Sequence, residues 1–475
     1  VLLRRLGGYR LAWTPILLTY FCYGASAVTG VADLFLQKNV LHLTPAEAAG
    51  IAFWLGLPWS MKMVAGVASD VYPIFGSRRT AYLLLGAMCT TGGYVLIATT
   101  VATKAAYLAA ALLVTIGYMI QDVVADALSV EVADTDEEIG QIQTLGRMAL
   151  LAGGISVGYL SGWLAGTIGS RPTFVLAIGL PLLVTVSLLF FARRERPRPR
   201  PTTEEGPLSG GRASIVLLVG LGYAAFGTAL QLFELPWAQE IVLLVSVVLI
   251  AGLLQRVGIS RRVAAAALVI FLFRATPGVG QGYSYWAIDR LGFDQRFLGV
   301  LAQVSSVLSL LGLLIFRKTI VQRPVSFTLF WVVVAGTILS LPNLGLFYGL
   351  HEWLGITART LALVDTTISA PLAQLTMVPM LVLIARSAPR GAEATMFAIM
   401  ASLMNLALST SELFTQYLNE LFQITQQDYS NLGRLMITVG LIGLLPLLTL
   451  PLLRSKEREA QTQGWNRISS PDQVA

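Results

Sequence analysis

The chain has 475 residues, of which 55% are hydrophobic and 12% charged, and its mean hydropathy is +0.70. Runs of about 20 apolar residues recur along it, which excludes a soluble globule and points to a polytopic helical membrane protein. The net charge of +7 is no sign of nucleic acid, because Lys and Arg gather in alternate loops, where they set membrane topology.

Arg4, Arg5 and Arg10 lead directly into the first apolar run, so no cleaved leader is expected. Spans are expected near 13–35, 50–69, 80–102, 105–129, 146–168 and 172–192. The stretch 193–212 is charged and Pro-rich, so it reads as an exposed linker between two halves. Two spans near 213–233 and 238–256 follow. Six more lie near 263–288, 296–316, 325–345, 355–385, 392–417 and 432–453, and a polar tail covers 454–475. LHLTPAEAAG (41–50) and RLGFDQRFLG (290–299) each precede an apolar span and a short basic turn. This internal repeat makes residues 257–453 a second six-helix bundle, matching 1–192 and leaving 213–256 as an extra pair. The expected count is therefore fourteen spans, with twelve as the rival. The basic loops at 70–79, 193–212, 256–262, 317–323 and 386–390 then lie on the cytoplasmic side with both termini. A bacterial inner (plasma) membrane is the expected location.

Ionisable groups inside apolar spans are costly and are functional candidates by default. Asp122 and Asp126 are four apart and share a helix face. Asp122 is read evenly as part of a cytoplasmic gate or as a proton or substrate site, and Asp126 as part of that gate with Asp70, Arg78, Arg79, Arg390 and Glu393. Lys62 and Arg147 either pair with these carboxylates or bind an anionic solute. Asp33 reads as a proton carrier or as an interfacial cap near Lys38, and Asp365 as facing a cavity or outer gate. In 271–293, Arg274 is followed by Pro277, Gly278, Gly280 and Gly282, which predicts a broken helix; backbone of that kind is tolerated in a bilayer where it lines a cavity. Arg274 suits a carboxylate, while Tyr283, Tyr285 and Trp286 either stack on a flat solute or sit at the interface. Gln143 is a further candidate contact, although Gln121, Gln143, Gln374 and Asn405 read first as packing groups. Cys22 and Cys89 both fall in apolar runs, and His42 and His351 in loops; no metal-ligand spacing, buried histidine relay or nucleophile–base pair is evident, and no enzyme activity or cofactor is expected.

Gly66, Asp70, Gly76, Arg78 and Arg79 have the spacing of the loop between the second and third helices of major facilitator transporters, which this loop resembles. Four stretches, 57–83, 121–131, 275–299 and 379–407, resemble the folate–biopterin transporter family, a branch of that superfamily. They carry Pro58, Trp59 and Lys62; the paired Asp122 and Asp126; and Pro389, Glu393 and Phe397. The sequence departs from that family's pattern at Lys38-Asn39 and at Gln143-Thr144-Leu145. The resemblance implies a major facilitator fold of two six-helix bundles. It further implies secondary active transport, by proton symport and alternating access, of a folate- or pterin-like solute. Arg274, Arg147, Lys62, Tyr283, Trp286 and Gln143 are the expected substrate contacts, and Asp122, Asp33 and Asp365 the expected proton carriers. The partners are the solute and the lipid bilayer, with no nucleic acid; no protein partner is specified. The competing reading is a non-transporting assembly or pigment-delivery factor on the same fold, with the extra pair 213–256 as its docking element.

Overall fold

The computed structural model describes residues 11–192, 211–233, 235–257, 260–322, 324–372, 379–380, 383–384 and 393–453. These residues are almost wholly helical; their sole extended pairing is an isolated bridge between Ile74 and Ser77. In chain order the helices are α1 (Leu11–Val40), α2 (Pro45–Val71), α3 (Thr80–Thr99), α4 (Lys104–Val132), α5 (Asp136–Thr167) and α6 (Ser170–Phe190). Then come α7 (Gly211–Leu232), α8 (Ala238–Val257), α9 (Arg261–Arg274), α10 (Gln281–Leu291), α11 (Gln295–Gln322) and α12 (Val325–Phe347). The last are α13 (Ala358–Ser369), α14 (Glu393–Leu421) and α15 (Leu432–Leu453). Among the described residues, eleven helices are long and apolar enough to cross a membrane, and Ile215–Gln231 and Val263–Arg274 are shorter apolar helices. The protein is thus a multi-pass membrane protein. Of the expected spans, 355–385 falls partly outside the described residues, as do most of the 193–212 linker and the tail after 453.

Packing divides the chain into two compact units. The first comprises Val1–Leu43, Trp54–Val242 and Gly292–Ser306. Its helices approach through glycine. A Cβ at Gly24 on α1 would fall 1.9 Å from Leu150 O on α5, and one at Gly153 would fall 2.1 Å from Phe21 O. Apolar lipid tails offer no hydrophobic drive between helices, so such close approach supplies the packing energy instead. α1 is also irregular. Ser26 and Thr29 return hydrogen bonds to Tyr23 O (2.7 Å) and Ser26 O (3.0 Å), beside a 3₁₀ turn at Ser26–Thr29. A π-helical turn follows at Leu36–Val40.

α2 begins with a capping box: Thr44 Oγ1 accepts from Glu47 N, and Glu47 Oε2 accepts from Thr44 N at 2.9 Å. Pro58 interrupts it, because proline has no N–H for the ladder and its ring crowds the preceding turn. Met61 leaves helical geometry (φ −110°, ψ 17°), its N–H reaching back only to Pro58 O, and the helix resumes at Lys62. The irregularity therefore falls between Trp59 and Lys62. α7 packs on the second half of α2, where a Cβ at Gly220 would meet Val64 Cγ1 at 2.6 Å.

The second unit comprises Thr44–Phe53, Leu243–Leu291 and Val307–Ala475. Its main irregularity is the gap between α9 and α10. α9 stops at Arg274 and α10 starts at Gln281, matching the break expected from Pro277 and its glycines. Backbone groups freed from a helix at this depth need other partners. α14 supplies them: Ser411 Oγ donates to Thr276 O (2.6 Å), Thr415 Oγ1 accepts from Gly278 N (2.9 Å), and Asn419 Nδ2 donates to Val279 O (3.2 Å). Gly280 adopts φ +67°, a left-handed conformation that glycine takes without a Cβ penalty.

Candidate functional site

In the first unit, α1, α2, α4 and α5 bring polar and aromatic side chains together. Lys62, at the restart of α2, forms an ion pair with Asp122 of α4. Its Nζ also lies 4.9 Å from the Trp59 ring centroid. Trp59 stacks on Tyr23 (5.5 Å, 22° between planes), and Tyr23 meets Tyr118 at 5.2 Å. One turn along α4, Asp126 accepts from Tyr20 OH and, at 3.3 Å, from Gln143 Nε2. Gln143 also donates to Ser129 Oγ at 2.7 Å. Arg147 is exposed on α5. The structure thus joins Lys62, Asp122, Asp126 and Gln143 in one cluster. The sequence reading missed Tyr20 and Tyr23, whose three-residue spacing in an apolar run carries no local signal of function.

Asp33 belongs to a separate network. Its Oδ1 accepts from Tyr107 OH (2.7 Å) and its Oδ2 from Gln37 Nε2 (2.9 Å), while Gln37 also donates to Tyr107 OH at 2.9 Å. Gln37 lies in the π turn of α1, which widens the helix beside this carboxylate. Gln121 donates to Leu83 O at 3.4 Å, a bond between helices in keeping with its packing reading.

The loop after α2 is held by Arg79. Its guanidinium donates to Asp70 Oδ1 (2.6 Å), Glu131 Oε1 (2.7 Å) and Ser69 Oγ (2.6 Å). Burial lowers the Arg79 pKa, but the hydrogen bonds and charges of Glu131 and Asp70 outweigh it, so the pKa is raised and the group stays charged. Glu131, rather than Asp126, is the second acid of this cluster. Arg78 is exposed, Arg390 lies outside the described residues, and Glu393 is placed by its backbone at the start of α14.

In the second unit, Tyr283 and Trp286 of α10 pair at 5.5 Å, and Trp286 meets Phe347 of α12 at 5.2 Å. Tyr283 OH donates to Asn343 Oδ1 (2.7 Å), and Asn343 Nδ2 donates to Asp365 Oδ2 (2.9 Å). Asp365 is 8% exposed, and its Oδ1 is buried without a hydrogen-bond partner among the described residues. Arg274 closes α9 with its Nε likewise buried and without a partner. Glu412, in the middle of α14, is partly buried and makes no hydrogen bond or ion pair with the described residues. The sequence reading passed over Glu412, although a carboxylate within an apolar run is itself a signal.

Among the described residues no group of His, Cys, Asp and Glu has the geometry to hold a metal ion. The arrangement offers aromatic faces, cations and carboxylates within apolar helices, which suits reversible binding of a polar aromatic solute.

Solved structures with the same fold include a POT family transporter in complex with 5-aminolevulinic acid, at TM-score 0.69 and 16% identity, covering 95% of this chain and 97% of that one. Nucleoside transporter NupG aligns at TM-score 0.64 and 13% identity, covering 94% and 100% of the two chains. Among curated proteins, the "Folate-biopterin transporter" of Synechocystis sp. is 30% identical, over 96% of this chain and 84% of its own length. "Folate transporter 1" of Plasmodium falciparum is 23% identical, over 93% and 79% of the two chains. "Probable folate-biopterin transporter 2" of Arabidopsis thaliana is 21% identical, over 98% and 86%. The family described as BT1 family matches residues 25–473, nearly the whole chain. On that match and the full-length relatives, the chain belongs to the BT1 family.

Proposed function

We propose that the protein is a secondary active transporter of a folate- or pterin-like solute, coupled to protons. The observation that carries this reading is the cluster of Lys62 with Asp122 beside the Trp59–Tyr23 stack. A pterin is a flat, electron-poor heterocycle that stacks on aromatic faces, and folate adds carboxylates that a Lys or Arg attracts. The named activities of the Synechocystis and Plasmodium relatives support the same solute class.

Within this reading Lys62, Arg147, Gln143, Arg274, Tyr283 and Trp286 are the solute contacts. Asp122, Asp33 and Asp365 are the candidate proton carriers, and Asp70, Arg78, Arg79, Asp126, Arg390 and Glu393 the cytoplasmic gate. Residues 1–192 and 257–453 act as the two bundles, 193–212 as the cytoplasmic linker, and 213–256 as an added helix pair. Both termini are cytoplasmic and the membrane is a bacterial inner membrane.

Uptake of labelled folic acid and of biopterin into proteoliposomes, with and without an inward proton gradient, tests the reading. Saturable uptake stimulated by the gradient is the expected result. Uptake indifferent to the gradient overturns the proton coupling but keeps the carrier. Absence of uptake and binding for both compounds, with folded protein, overturns the solute class.

A further inference from the structure

Lys62 touches a carboxylate and an aromatic face at once, pairing with Asp122 while lying 4.9 Å from the Trp59 ring centroid. Paired in this way, it is not free for a solute carboxylate, and Asp122 is not free to carry a proton. We propose that Lys62 is an exchange site: a flat heteroaromatic solute bearing a carboxylate takes Lys62 from Asp122, and Asp122 takes up a proton as it is displaced. This rests on the reading of the protein as a folate or pterin carrier and adds how solute and proton are coupled.

Charge couples the two events. Asp126 lies one turn from Asp122 on the same face of α4 and stays close, bonded to Tyr20 and Gln143. A solute carboxylate arriving at Lys62 with both aspartates ionised would gather three anions around one ammonium in a medium of low dielectric. A proton on Asp122 removes that conflict. One solute carboxylate and one proton enter together, and the ion pair of Lys62 with Asp122 is replaced by one with the solute. Net charge at the site does not change. The Trp59 and Tyr23 faces beside Lys62 restrict the class to solutes that also carry a flat ring.

Asp122 is faced by Lys62 from α2 and by Tyr20 and Tyr23 from α1, with Asp126 on its own helix; Arg147 of α5 is exposed and lies towards Tyr20 and Tyr23. α3, which packs along α4, carries Tyr82, Cys89 and Tyr94. Tyr82 OH is engaged with Ala68 O and Tyr72 O, and Tyr94 OH with Tyr118 OH. Lys62 is therefore the cation in direct contact with Asp122. Arg274 has no ion-pair partner among the described residues, so no equivalent exchange arises there.

The test uses the full chain in lipid nanodiscs, with labelled folic acid and with biopterin, which lacks a carboxylate. Binding is measured at about pH 6 and about pH 7.5, a range in which free carboxyl groups remain ionised. Wild type is expected to bind folic acid about tenfold more tightly at the lower pH, with no change for biopterin. Asp122→Asn is expected to show the tight binding at both values. Lys62→Gln should weaken folic acid about tenfold or more at both, and Lys62→Arg should restore the pH dependence. A direct readout avoids reliance on variants: folic acid added to wild type in weak buffer should draw about one proton per site, and biopterin none. Asp122→Asn with the wild-type pH dependence, or folic acid binding without proton uptake, overturns the exchange and leaves the carrier reading standing. Wild type that binds neither compound overturns the carrier reading and the exchange with it.

Discussion

The Lys62–Asp122 pair of the first unit and the lone in-span charges of the second are held in opposite ways. In the first, Lys62 and Asp122 neutralise each other and Asp126 is held by a tyrosine hydroxyl. In the second, Arg274, Asp365 and Glu412 have no opposite charge in contact among the described residues, and Arg274 Nε and Asp365 Oδ1 are buried without partners. A paired group is stabilised until one member is removed, whereas an unpaired one is a standing cost that persists where function uses it. Removing a charge should therefore have opposite consequences for stability in the two units.

The largest effect is expected at Lys62. Lys62→Ala leaves Asp122 charged in an apolar helix bundle and should cost about 2–3 kcal/mol. This is below the full figure for a buried pair, because the Lys62 side chain is 32% exposed. Adding Asp122→Asn should recover most of the loss, and a thermal-unfolding cycle of the four variants measures it. If the double variant is no more stable than Lys62→Ala, the pairing does not hold the unit.

A smaller loss is expected where α14 staples the gap between α9 and α10. Asn419→Ala removes the bond to Val279 O and should cost about 1–2 kcal/mol in the unfolding transition. It should also raise hydrogen exchange at residues 276–282 more than elsewhere. Uniform exchange along the chain would show that the gap is held by other means.

Arg274→Gln and Glu412→Gln sharpen the contrast. Each removes a charge without orphaning a partner, so stability should be unchanged or rise by about 1 kcal/mol. Transport should fall for any of the two that serves the solute or the proton. Destabilisation as large as that of Lys62→Ala would show that the second unit pairs its charges after all.

The smallest effect belongs to the Arg79 cluster. The Asp70 and Glu131 side chains are 57% and 47% exposed, so Asp70→Asn and Glu131→Gln should each cost about 0–1 kcal/mol, less at high salt. A change in transport rate without a change in melting temperature is the expected signature of a gate.

The helical membrane-spanning class, the break after Arg274 and the Arg79 turn are legible because each has a local cause: apolar run length, proline and glycine, and loop charge. Lys62, Asp122 and Asp126 stood out as charges in apolar runs. Their partners did not. Tyr20 and Tyr23 look like any aromatic residues of a span, and Asn343 like any packing amide. Glu412 is equally legible as an in-span charge.

The class is written in the chain's local chemistry: a bilayer leaves only helices for these apolar runs, and short motifs resemble those of facilitator-type transporters. Tertiary structure decided which charges meet. Lys62 and Asp122 are 60 positions apart, and Tyr283, Asn343 and Asp365 lie on three helices. Such pairings depend on helix rotation and on close approach through residues such as Gly24 and Gly153, which no local pattern in the sequence encodes.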